Sequence, residues 1–238
     1  TVSDSDPCLY VQLYPDGSRA YIAVFVDDLV FATSTVTLLS QLKIAFSEVY
    51  KMKDLGELSW FLGMKVTRNR AAYSITLSQS AFIERCLASL GLSDCNPVTL
   101  PIDPNCRVTA TTPVHSGPDD PDISLYRVAV GFLLYLVCCT RPDCAFLCSV
   151  VCRYMSSPTQ YHWAMVKRGF RFLRGTSSLG ITYSPTTSSS YVHPLPYPLK
   201  SSLPAIVYVD AAWADDLDNR RSTLGYVVLV HNGPVVWY

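Results

Sequence analysis

Apolar and polar positions alternate over residues 8–14 (CLYVQLY) and 20–26 (AYIAVFV), and Pro15-Asp16-Gly17 lies between them. Alternation with period two marks half-buried strands, and the Pro-Asp-Gly tripeptide supplies their turn. A second apolar run, Leu29-Val30-Phe31-Ala32, follows directly on Asp27-Asp28, so the acidic pair separates two strand halves. Leu39, Leu42, Phe46 and Val49 recur at helical spacing, which predicts a helix over 34–50 with Ser34 as its N-cap. Residues 58–67 and 72–77 predict a hairpin around Asn69-Arg70. Residues 79–90 predict an amphipathic helix that buries Phe82, Ile83, Cys86, Leu87 and Leu90 and stops at Gly91.

The pattern then breaks. Pro97, Pro101, Pro104, Pro113, Pro118 and Pro121 forbid regular structure, which predicts a linker over 93–123. Three helical patterns follow, at about 124–140, 142–155 and 158–174. Ser, Thr and Pro then dominate 184–204, a second predicted linker. The last segment returns to strands: Ala205 to Asp210, then Thr223 to Val230, an Asn232-Gly233 turn, and Val235-Val236-Trp237. The fold class this predicts is α+β.

Composition narrows the function classes. Hydrophobic residues make up 49% and charged residues 16%, which suits a buried core and excludes a disordered chain. The net charge is zero, so any nucleic-acid contact has to come from local patches. The longest apolar run, 128–139 between Arg127 and Arg141, is shorter than the roughly 20 residues a membrane span needs. Nine cysteines include Cys144, Cys148 and Cys152 on one helical face beside Leu147 and Val151. None has zinc-site spacing, and the reading is apolar packing in a reducing compartment. Thr1 and Tyr238 lie beside strand patterns, so both ends read as cuts in a longer polypeptide.

Two adjacent carboxylates at an apolar hairpin tip repel each other and resist desolvation. A divalent cation removes both costs: Mg2+ takes one or two protein carboxylates, with phosphate and water completing its shell. Two such ions about 4 Å apart can hold the attacking and leaving oxygens of a phosphoryl transfer. An Asp-Asp pair can equally serve a turn through hydrogen bonds, and the two residues alone do not decide between these.

The flanking sequence does. Phe25-Val26-Asp27-Asp28, within YIAVFVDDLVFATS, resembles the Tyr-X-Asp-Asp motif of reverse transcriptases, in the form found in copia-type LTR retrotransposons. Phe25 stands at the tyrosine position, keeping the ring that packs near the incoming nucleotide. Met52-Lys53-Asp54-Leu55-Gly56 with Phe61-Leu62-Gly63 resembles the segment ending in the family's primer grip, and Leu77 to Leu90 its thumb helix. Tyr126-Arg127, Leu134-Tyr135-Leu136, Thr140-Arg141-Pro142-Asp143, His162-Trp163 and Leu173-Arg174-Gly175-Thr176 resemble the connection segment. Tyr208-Val209-Asp210-Ala211-Ala212-Trp213, with Arg220-Arg221-Ser222-Thr223, resembles the opening of the ribonuclease H domain.

The resemblance implies a partial palm with primer grip and thumb over 1–92, a helical connection over 124–183 and a truncated ribonuclease H-like start over 205–238. It implies RNA-directed DNA synthesis with attached ribonuclease H, using Mg2+ or Mn2+. Asp27, Asp28 and Asp210 would be metal-binding catalytic acids, and Phe25, Phe61, Leu62 and Gly63 substrate-binding. Lys43, Lys53, Lys65 and Arg68 would contact nucleic acid. Lys167, Arg171 and Arg174, with Arg168 alongside, form a basic stripe that suits either a phosphate backbone or a solvated helix face. Asp215, Asp216 and Asp218 read as solvated loop acids. The implied partners are an RNA template, a DNA primer, a deoxynucleoside triphosphate and the rest of a polyprotein, with no membrane. The implied setting is a cytoplasmic virus-like particle or the nucleus. The palm's third carboxylate and the fingers would precede Thr1, and further ribonuclease H acids would follow Tyr238. The alternatives are an inactive or domesticated remnant serving as a nucleic-acid-binding or scaffold module, and an unrelated α+β protein with a structural Asp-Asp turn.

Overall fold

Alternation near the start of the chain becomes three antiparallel strands, β1 (Leu9–Leu13), β2 (Arg19–Phe25) and β3 (Asp28–Thr33), in the order β1-β2-β3. Helix α1 (Val36–Val49) covers one face, where Phe46 meets Phe31 edge-on with ring centroids 5.3 Å apart. The helix is capped one residue later than the sequence predicts. Thr35 accepts from the Leu38 N–H, while Ser34 Oγ is taken by the Arg19 N–H at 3.0 Å. Both hydroxyls can cap a helix, and the sheet edge claims Ser34 first. These elements form one compact unit, Thr1–Leu58, and Ser59–Tyr238 forms a second. The computed structural model describes residues 1–103, 122–185, 205–214 and 220–238. Most of the two predicted linkers, together with Asp215, Asp216 and Asp218, lies outside those residues.

The second unit is built on four helices. These are α2 (Ser80–Ser89), α3 (Ile123–Cys139), α4 (Ala145–Cys152) and α5 (Gln160–Gly175). Asp122 caps α3 by accepting from the Ser124 N–H at 3.0 Å. The helices bury Ile83, Tyr126, Leu133, Leu136, Leu147, Val166, Phe170 and Leu173 in one core. Each such side chain contributes about 1.5–3 kcal/mol by leaving water. Cys144 and Cys148 are buried in that core, as packing residues should be, and burial pushes the Cys144 thiol up to about 12. Arg141, though charged, is also buried; its guanidinium donates to Asp143 and to both the carbonyl and the hydroxyl of Thr176, so no charge is stranded.

Beside the helices runs a sheet of β4 (Trp60–Phe61), β5 (Met64–Asn69), β6 (Ser74–Ser78) and β7 (Gly180–Tyr183) in chain order. The fourth strand, β7, is an element the sequence pattern does not announce. A separate sheet holds β8 (Ile206–Ala212), β9 (Thr223–Val230) and β10 (Gly233–Trp237), ordered β10-β9-β8. Its hairpin loop is His231-Asn232, one residue earlier than expected, and both residues have positive φ. Gly233 instead opens β10, because a Cβ there would lie 2.5 Å from the Tyr183 ring. Trp237 Nε1 donates to the Val137 carbonyl at 2.8 Å, tying this sheet to α3.

Among the described residues no helix is long and apolar enough to cross a membrane.

Candidate active site

In the first unit, Phe25 pairs directly with Asp28, which leaves Val26-Asp27 as a two-residue hairpin loop. Cross-strand partners share a face, so Phe25 and Asp28 point the same way. Phe31 reaches α1 and lies three residues from Asp28, so Asp28 and Phe25 occupy the face away from the helix. Both carboxylates are exposed and neither has a hydrogen bond or ion pair among the described residues. Val26 holds the loop with φ of 52° while 82% exposed. A β-branched residue in the left-handed region costs on the order of 1–3 kcal/mol, and such strain concentrates at functional turns. Glycine would normally fill this position.

Of the basic residues in this unit, Lys53 is exposed, whereas Lys43 Nζ is 2.9 Å from Asp54. Asp54 also accepts from the Gly56 N–H at 2.9 Å, and these bonds, the Lys43 one foremost, hold its carboxyl below the usual carboxylate range. Lys43 thus braces the loop after α1.

The second unit carries the other candidates. Phe61 pairs with Met64 across a two-residue turn, Leu62-Gly63, whose φ values are 49° and 74°. Positive φ at both positions defines a tight type I′ hairpin. Tyr135 on α3 donates its phenolic hydrogen to the Leu62 carbonyl. Lys65 and Arg68 lie three residues apart on β5, so they project from opposite faces and cannot follow one backbone together. Asp210 stands on β8 opposite Gly225, exposed, its Oδ1 accepting from the Ala211 N–H at 2.9 Å. It lies in a different sheet from the Leu62-Gly63 turn. Arg171 Nε donates to the Asn96 carbonyl at 2.6 Å and Arg174 to that of Cys95, so two members of the basic stripe hold the chain after α2. Tyr135 and the Arg141–Asp143 pair were not singled out for these roles from the sequence. Tyr135 meets Leu62, 73 residues away, and Arg141 is buried and bonds Thr176, 35 residues on, contacts that only the fold creates.

Among the described residues no three of His, Cys, Asp or Glu gather as metal ligands. Asp27 and Asp28 nevertheless fit one hard cation, because they offer unpartnered carboxylate oxygens and no competing donor set. The model of the family described as reverse transcriptase (RNA-dependent DNA polymerase) matches residues 2–104. The chain is 31% identical to the Retrovirus-related Pol polyprotein from transposon TNT 1-94 of Nicotiana tabacum, over 98% of its own length and 17% of that protein's. It is 33% identical to the Retrovirus-related Pol polyprotein from transposon RE1 of Arabidopsis thaliana, over 99% of itself and 14% of that protein. An uncharacterized mitochondrial protein of Arabidopsis thaliana is 30% identical over 91% of this chain and 81% of its own length. No solved structure matches. The chain belongs to the reverse-transcriptase family of copia-type retrotransposon Pol polyproteins. It spans less than a fifth of the polyprotein relatives' length.

Proposed function

We propose that this chain forms the metal-binding hairpin, primer-holding turn and connection of an RNA-directed DNA polymerase. The observation that carries the reading is the pair of exposed, unpartnered carboxylates, Asp27 and Asp28, on the Val26-strained hairpin. A bound Mg2+ supplies charge neutralisation at the transferring phosphate and lowers the pKa of the attacking hydroxyl. Asp27 and Asp28 would hold it, with a third carboxylate from outside these residues. Phe25, on the same face as Asp28, would pack beside the incoming nucleotide. Leu62-Gly63 would seat the primer end, and Lys53, Lys65 and Arg68 would meet backbone phosphates from separate positions. Asp210 would be the first carboxylate of an attached ribonuclease H site. The setting would be a cytoplasmic virus-like particle or the nucleus.

A second reading, a remnant that binds nucleic acid without synthesis, is favoured by the mitochondrial relative, which is little longer than this chain. Two measurements separate them. Mn2+ titrated into the isotopically labelled chain should broaden the amide signals of residues 25–29 first, and Asp27→Asn with Asp28→Asn should abolish that. The chain alone should extend no primer. Joined to the upstream region of the tobacco relative, it should synthesise DNA on a template, and Asp27→Asn should cut the rate by roughly 10²–10³-fold. Mn2+ broadening without preference for 25–29 defeats the metal assignment. A joined protein that binds metal there but does not synthesise favours the remnant.

A further inference from the structure

The Leu62-Gly63 turn has little support of its own. Strand β4 is two residues long, and Leu62 sits in the left-handed region that favours glycine. What meets the turn comes from far along the chain. Tyr135, 73 residues downstream on α3, bonds the Leu62 carbonyl. A Cβ built on Gly63 would lie 2.8 Å from the same phenolic oxygen. Glycine at 63 therefore answers two demands: φ of 74°, which asparagine could also tolerate, and the approach of the Tyr135 hydroxyl, which would have to move aside for a Cβ. The Tyr135 ring is fixed in turn, edge-on to Phe82 of α2 at 4.8 Å, and Phe82 is edge-on to Phe132 of α3 at 5.8 Å. Burial raises the Tyr135 phenol's pKa, so it remains an O–H donor at neutral pH.

We propose that Tyr135 is a positioning residue that locks the Leu62-Gly63 turn to helix α3, so that the seat for a primer's end is set from α3 and α2. The proposal rests on the primer-holding reading of that turn. In this arrangement one side chain makes two contacts with the turn, a hydrogen bond to its carbonyl and an oxygen against its glycine, while its ring is anchored on the neighbouring helix α2. Any shift of α3 along its axis would move the Leu62 carbonyl with it. The hydroxyl is the separable part, because Tyr135→Phe keeps the ring and its packing on Phe82.

The test uses the 238-residue chain as Tyr135→Phe, Gly63→Ala and the double variant. Two probes are compared: an RNA–DNA duplex with a recessed DNA 3′ end, and the same duplex blunt-ended. Loss of one hydrogen bond should speed amide exchange in the β4–β5 hairpin by about three- to tenfold and leave the α3 core amides unchanged. The dissociation constant for the recessed duplex should rise by a similar factor, and that for the blunt duplex should not move. Gly63→Ala should cost less in the Tyr135→Phe background than alone, because the oxygen it strikes is gone. Unchanged hairpin exchange, or equal weakening of recessed and blunt duplexes, overturns the role of Tyr135. A wild-type chain that binds the recessed end no better than the blunt one removes the primer-holding reading instead, and this proposal with it.

Discussion

His162 reads from the sequence as a packing or surface histidine rather than a ligand, and the fold makes it a packing one. It is buried, stacked on Tyr154 with centroids 3.8 Å apart, and its Nδ1 accepts from the Thr159 N–H at 3.1 Å, capping α5. That bond assigns the ring hydrogen to Nε2, which is buried without a partner. Protonation would break the cap and bury a charge, and burial holds the pKa below the ordinary 6.5. The unfolded chain therefore takes up this proton first as pH falls. Stability is full above pH 6.5 and declines as pH drops through the window down to the folded-state pKa. The slope from this one group cannot exceed about 1.4 kcal/mol per pH unit. Urea unfolding of the wild type and His162→Gln at pH 7 and pH 5 checks it. The wild type should lose more stability than the variant on acidification, and parallel losses would remove His162 from the account.

At the scale of elements, Gly180 in β7 makes the sharpest case. It pairs with Ser78, and a Cβ there would lie 2.2 Å from the Leu77 carbonyl oxygen, which is backbone and cannot swing aside. Gly180→Ala should therefore cost about 1–3 kcal/mol in denaturant unfolding, and a change below about 0.5 kcal/mol would mean that β7 is not seated as described. The same strand explains what the sequence could reveal. The helix over 124–140 was legible because its apolar spacing is local, and it forms as Ile123–Cys139. Strand β7 was not, since four residues of Gly-Ile-Thr-Tyr carry no period, and its pairing partner β6 lies about a hundred residues upstream. The Asn232-Gly233 turn was misplaced because Gly233 answers a close approach by Tyr183, a tertiary demand. The acidic hairpin was legible as four contiguous residues. The Tyr135 lock on Gly63 was not, because only the fold brings the two together.

For the whole molecule the decisive quantity is how much apolar surface each unit buries by itself. Within Thr1–Leu58 only Ala20 and Leu38 among the apolar side chains are buried, while Val36, Ile44, Val49 and Leu55 are each more than 60% exposed. Ser59–Tyr238 holds the entire four-helix core. A unit of fewer than 60 residues with so small a core lies near the limit of independent stability. The acidic hairpin is therefore carried by the less stable unit and the Leu62-Gly63 turn by the more stable one. Hydrogen exchange should separate them: amides of β2 and β3 should exchange at least about tenfold faster than those of α3 and α5. A chain begun at Ser59 should keep its cooperative unfolding, whereas residues 1–58 alone should give no cooperative transition. Equal protection in both units would mean that the hairpin's unit owes its stability to more than its own core.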